Sequence, residues 1–189
     1  MEYIYIAFVS TPGLFASMIR KALKQKYVHV AISLDEELHE CYSIGRRNPE
    51  IPIFAGFEKE DKNRILNKFP NAEYKICKVN CSKEQRRMVK VILEQAMKKS
   101  FSYHYTILGL PLILFQIPFA QRKHYTCSSY IAQMLQECGI WEWEKDTSIV
   151  TPKDFLLHEG KETVFEGRLE EITYVGHQRE DAGQFLYES

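Results

Sequence analysis

Net charge is the first thing this sequence lacks: 25 Lys and Arg balance 25 Asp and Glu across 189 residues. A one-sided basic footprint for nucleic acid is therefore excluded. No apolar run is long enough for a membrane-spanning helix, which needs about 20 residues. The nearest run, Ile107 to Phe119, is interrupted by Gly109, Pro111, Gln116 and Pro118. The opening Met1-Glu2-Tyr3-Ile4-Tyr5-Ile6 has neither a basic segment nor a small-residue cleavage site, so no signal peptide is expected. The five cysteines are odd in number and lack framework spacing, which excludes a disulfide scaffold and favours a reducing compartment. The expected location is cytoplasmic. There is no Cys-x-x-Cys pair, no His-x-x-x-His on a helix and no glycine loop of the Walker type. His29, His39 and Cys41 make only a weak zinc reading, because a fourth ligand is not evident. No metal and no cofactor are expected. Internal repeats and low-complexity segments are also missing.

What is present suits one α+β domain over residues 1–189, with a tail from about residue 176 that is polar and loosely patterned. Tyr3 to Val9 is nearly all apolar, as a central strand buried on both faces is. Leu14 to Gln25 reads as a helix with Leu14, Met18, Ile19 and Leu23 on one side. Tyr27 to Leu34, a turn at Asp35-Glu36-Glu37 and Leu38 to Ile44 read as a hairpin. Gly45 to Gly56 is a loop that continues through Gly56-Phe57-Glu58-Lys59-Glu60-Asp61. Ala72 to Asn80 alternates like a strand. Ser82 and Gln85 make a capping box for a helix to about Lys99, with Met88, Val89, Ile92 and Ala96 inward. Thr151-Pro152-Lys153-Asp154 starts a short helix with proline in its first turn. Thr163 to Tyr174 reads as one or two strands.

Chemistry concentrates in Tyr125-Thr126-Cys127-Ser128-Ser129-Tyr130-Ile131. Cys127, Tyr130, Ile131, Met134, Leu135 and Cys138 fall on one helical stripe, with Gly139 where the helix should end. Thr126 as N-cap places Cys127 in the first turn, where free N–H groups and the helix dipole favour thiolate. The plainer reading is a packed cysteine. A base decides between them, and the hairpin offers one. Alternation puts His29, Ala31 and Ser33 on one face. With a two-residue loop, Leu34 pairs with Glu37 and Ala31 with Glu40, so Glu40 shares the His29 face. A one-residue change in that loop presents His39 or Cys41 instead. On this reading Cys127 is the nucleophile, His29 the base and Glu40 the group that orients it. The Cys127 N–H is a natural oxyanion donor; Tyr125 or Tyr5 is a candidate for the second, and Arg46 a candidate for binding an anionic substrate group.

The segments His29-Val30-Ala31-Ile32-Ser33-Leu34, His39-Glu40-Cys41 and Tyr125 to Ile131, in that order, resemble the circularly permuted branch of the NlpC/P60 papain-like superfamily. Ser17, Ile19 and Arg20 ahead of His29, and Thr151 to Asp154 after the cysteine helix, resemble it too. The resemblance covers most of residues 3–157. It departs at Ser128-Ser129, where relatives often carry Ser followed by Glu or Gln, and it does not extend beyond about Phe165. It implies a permuted papain-like fold: an antiparallel β-sheet packed with helices, with the nucleophile at a helix N-terminus. It also implies a thiol hydrolase acting on an amide or ester bond of a peptide, amino-acid conjugate or lipid. The alternatives are an acyl-chain acyltransferase with the same three residues, lined by Ile107 to Phe119, and a silent peptide- or lipid-binding module. Ile107 to Phe119 is also the candidate for peripheral membrane contact. The expected partners are a small-molecule, peptide or lipid substrate, and the expected state is a monomer or weak dimer.

Overall fold

The computed structural model describes residues 1–12, 16–17, 20–21, 24–46, 55–105, 117–118 and 124–172. Its frame is a six-stranded antiparallel sheet in the order β4-β3-β2-β1-β5-β8. The strands are β1 (Glu2–Ser10), β2 (His29–Ser33), β3 (Cys41–Arg46), β4 (Ala55–Lys59), β5 (Glu73–Cys81) and β8 (Lys161–Arg168). Two short strands, β6 (His104–Tyr105) and β7 (His124–Tyr125), pair parallel to each other. The helices are α1 (Lys62–Lys68), α2 (Lys83–Lys98), α3 (Cys127–Glu137) and α4 (Pro152–Leu157). The chain is thus α+β with an antiparallel sheet.

β1 is central because both its faces are apolar. Ile4, Ile6 and Phe8 point to one side, Ala7 and Val9 to the other, and all five are buried. The first side, extended by Val30, Ile32, Ile44 and Phe57, receives Val89, Leu93 and Ala96 of α2 and Tyr130, Ile131, Met134 and Leu135 of α3. The second side is a smaller core of Ala31, Leu38, Cys41, Tyr74, Ile76, Leu169 and Ile172, with Ile65, Leu66 and Phe69 from α1 and the residue after it packed against it.

The cap at Ser82 and Gln85 forms as the sequence indicates, with both reciprocal hydrogen bonds. The inward stripe of α2 differs by one position. Leu93 is buried while Met88 lies on the exposed side. The stretch after Thr163 does not continue as strand beyond Arg168; residues 169–172 are helical and close the second core. Two larger differences lie at the other edge. Residues 55–59, read as loop, are β4, and the helix after them, α1, is capped by Asp61, whose side chain accepts from Asn63 N–H and Arg64 N–H. The connection between β2 and β3 is a seven-residue excursion, not a tight turn. It is held by Asp35, whose carboxylate accepts from the His39 and Glu40 N–H groups at 2.8 and 2.6 Å.

Of the expected helix over Leu14 to Gln25, residues 16, 17, 20 and 21 are described and helical. Most of Ile107 to Phe119 and the tail from residue 173 lie outside the described residues. Among the described residues, no helix is long and apolar enough to cross a membrane.

Gly139 ends α3 with φ +63°, a left-handed conformation that costs an L-residue roughly 1 kcal/mol. Gly139→Ala should lower the urea midpoint by about that free energy and leave the reactivity of Cys127 unchanged, because the change lies at the opposite end of the helix.

Candidate active site

α3 starts where the sequence indicates. Thr126 caps it, accepting from Ser129 N–H at 3.1 Å, and the Ser129 hydroxyl accepts from Thr126 N–H at 2.9 Å. Ser129 therefore supplies the N3 half of the capping box, a role that Glu or Gln commonly fills. Ser128 Oγ donates to Val150 C=O at 2.6 Å and ties the helix start to the turn before α4. That turn is itself closed by Thr151, whose N–H and hydroxyl both donate to Asp154 Oδ2. Both serines thus have structural work at the helix start.

Cys127, the first residue of α3, is 4% exposed. Its sulfur lies beside the His29 imidazole and near the backbone N–H groups of Val30 and Ser128. The Val30 contact follows from the sheet. Leu34 N–H donates to Glu40 C=O, so the even-numbered residues of β2 turn their backbone groups toward β3. The β2–β3 ladder stops at Ile32 and Tyr42, although β3 runs on beside β4 to Arg46. Val30, next in the alternation, faces the break, and its N–H goes to the Cys127 sulfur.

His29 opens β2, with its side chain 25% exposed. Its Nε2 lies 2.8 Å from Glu60 Oε1, and the Glu60 side chain is only 9% exposed. That leaves Nδ1 for the thiol. The carboxylate hydrogen-bonded to His29 is therefore Glu60, not Glu40. The reason is register. Ser33 pairs with Cys41 and Ile32 with Tyr42, three residues away from the two-residue-loop register, and an odd shift exchanges the faces. Glu40 sits in the Asp35 turn, where its N–H and C=O are engaged with Asp35, Leu34 and Ser33. Glu60 follows β4, its N–H donating to Cys41 C=O, and so shares the side of Cys41 and Ser43. A signal for it was present in the sequence. Asp61 ahead of Ile65, Leu66 and Phe69 marks a helix start, and Glu58 and Glu60 alternate with Phe57 just before it.

The charges fit one another. Burial of Cys127 opposes thiolate, but the His29 imidazolium and the two backbone donors outweigh it and lower the thiol pKa. Burial likewise opposes imidazolium, and the Cys127 thiolate and Glu60 carboxylate raise His29 well above its usual value. Glu60, also buried, is held below the usual carboxylate range by His29 and the neighbouring Ser43 hydroxyl. Every other cysteine is shifted up, chiefly by burial: Cys41 strongly, Cys77 and Cys81 less so, and Cys138 to about 11.

The remaining candidates lie elsewhere. The Tyr125 ring packs edge-on against Tyr130. Tyr5 pairs with Ser33, four residues along β2 from His29, beside Glu36 and Glu37. Arg46 ends β3, and its side chain is outside the described ones. The zinc reading is not assembled: His39 is exposed and paired with Asp35 at 3.2 Å, while His29 is engaged by Glu60.

A buried thiolate paired with an imidazolium that a carboxylate orients can attack an electrophilic carbonyl and pass a proton to its leaving group. The Cys127 N–H, among the donors a helix start leaves unpaired, is placed for a developing oxyanion. No protein-family model matches the chain, and no curated protein matches it.

Two outcomes follow. Near pH 6.5, iodoacetamide should label Cys127 ahead of the other four cysteines. His29→Ala should remove that preference, Glu60→Gln should weaken it and Glu40→Gln should leave it intact; peptide mass spectrometry reads all four. Stability should also follow the pair. Unfolded imidazole and thiol titrate near about 6.5 and about 8.5. Raised His29 contributes stability that is full below about 6.5 and lost as pH rises through its folded pKa; lowered Cys127 contributes stability full above about 8.5 and lost as pH falls through its own. Between these values the two contributions slope in opposite senses. Urea midpoints should therefore vary little from about 6.5 to about 8.5, and Cys127→Ser should remove the part of the acid-side fall that the lowered thiol contributes.

Proposed function

We propose that this chain is a thiol hydrolase of permuted papain-like fold, cleaving an amide or ester bond through Cys127, His29 and Glu60. One observation carries the reading: three residues from distant parts of the chain meet in a line, the Cys127 thiol beside the His29 imidazole and that imidazole hydrogen-bonded to the buried Glu60 carboxylate. A packed cysteine needs neither partner.

The Cys127 thiolate attacks the carbonyl carbon, and the carbonyl π electrons move to oxygen, where the Cys127 N–H meets them. Collapse of the tetrahedral intermediate expels the amine or alcohol, which takes its proton from the His29 imidazolium. The thioester then waits with neutral His29 beside it. His29 takes a proton from water as the water attacks the thioester carbonyl, and the returning thiolate leaves with the imidazolium restored. Glu60 holds the ring and offsets its charge throughout. A substrate alcohol or amine in place of that water would give transfer by the same steps.

The test is a burst assay with p-nitrophenyl esters and activated amides, together with mass spectrometry of the acylated protein. Wild type should acquire one acyl group on Cys127. Cys127→Ala should acquire none, His29→Ala should fall by about 10²-fold or more, and Glu60→Gln by less. An unacylated Cys127 in folded wild type would leave a binding module as the better account.

A further inference from the structure

Glu58 precedes Glu60 by two residues and lies on the same side of the β4 strand and its continuation. Its side chain is 17% exposed, and one oxygen, Oε2, accepts from Arg64 Nη2 at 2.9 Å. The other oxygen faces Gly45 on β3. A Cβ added at Gly45 would stand 3.6 Å from Glu58 Oε1 and 3.7 Å from His29 Cε1, so the carboxylate and the ring border the same small gap. Two carboxylates on one side of a strand repel unless a cation lies between or beside them. Among the described residues, two cations are placed to do so here: Arg64 on α1, and the His29 ring when it is protonated.

We propose that Glu58, anchored by Arg64, is a second positioning carboxylate for His29 and shares with Glu60 the task of keeping the ring oriented and charged; the inference rests on the Cys127–His29 reading above. Glu60 makes the direct hydrogen bond, and Glu58 acts through space across Gly45. Burial, joined by the Glu60 charge, leaves Glu58 above the usual carboxylate range, and Arg64 and the His29 charge pull against that and favour its ionised form. The groups bearing on this cluster are Cys127 from α3, Arg64 from α1, Cys41 from β3, whose Sγ lies 4.0 Å from Glu60 Oε2, and the buried Tyr74 from β5. Of these, Arg64 is a permanent cation. Cys41 and Tyr74 are held protonated by burial, so they add no charge at neutral pH.

The test uses the full chain and two readouts, the NMR titration of the His29 Cε1 proton and the pH profile of Cys127 alkylation. Glu58→Gln keeps the size of the side chain and can still accept from Arg64, so the fold is retained. It should lower the His29 pKa by about half a unit to one unit, the scale of one charge several ångströms away. Glu58→Asp, which keeps the charge, should restore the wild-type titration. Because each carboxylate partly covers for the other, alkylation of the double variant at pH 7 should slow by more than the product of the single effects. An unmoved His29 titration in Glu58→Gln, with wild-type Cys127 titrating low, overturns this inference alone. A wild-type Cys127 that titrates like a free thiol overturns the proposed function as well.

Discussion

The ladder between β2 and β3 breaks one step too early, and the site depends on that break. Had the two strands paired to their ends, Val30 would face Ile44 across a closed ladder and its N–H would be taken. With the strands apart, the amide turns to the Cys127 sulfur, and the first turn of α3 settles against the open end of the sheet. Antiparallel pairing leaves alternate residues to face alternate neighbours, so only an even-numbered residue of β2 could serve. The neighbouring odd residue, His29, turns its backbone toward β1 and its ring toward Glu60.

Each charge in this line is buried enough to be costly alone. Desolvation is the first effect on Cys127, His29 and Glu60, and it opposes the ionised form of each. The opposite charges of the three oppose that cost, with sulfur and carboxylate both acting on the imidazolium. The other thiols show what burial does without such a partner: Cys138 sits in the core at the end of α3 and is pushed up to about 11. The same helix therefore carries a thiol shifted down at one end and a thiol shifted up at the other.

Most of the frame could be read from local pattern. The buried strand β1, the capped α2, the cap at Thr126, the left-handed Gly139 and the proline-led α4 all rest on residues close in sequence. Cys127 and His29 were legible for the same reason, since a helix start and an alternating strand are local features. Glu60 was not. Choosing it needs the β2–β3 register, and that register is set by Asp35 binding two amides across a seven-residue turn, which hydrophobic alternation does not encode. The loop reading of residues 56–61 then hid the strand that carries it. The place of Tyr125 beside Cys127 in sequence says nothing of its ring, which packs edge-on against Tyr130.

The chain order has a consequence for how the protein is made. His29 and Glu60, together with β1 to β5, all lie before residue 82, whereas the cysteine comes more than forty residues later. On a ribosome the imidazole and its carboxylate can be assembled while Cys127 is still unsynthesised. Cys127 is then added last, to an imidazole whose carboxylate partner has already been synthesised.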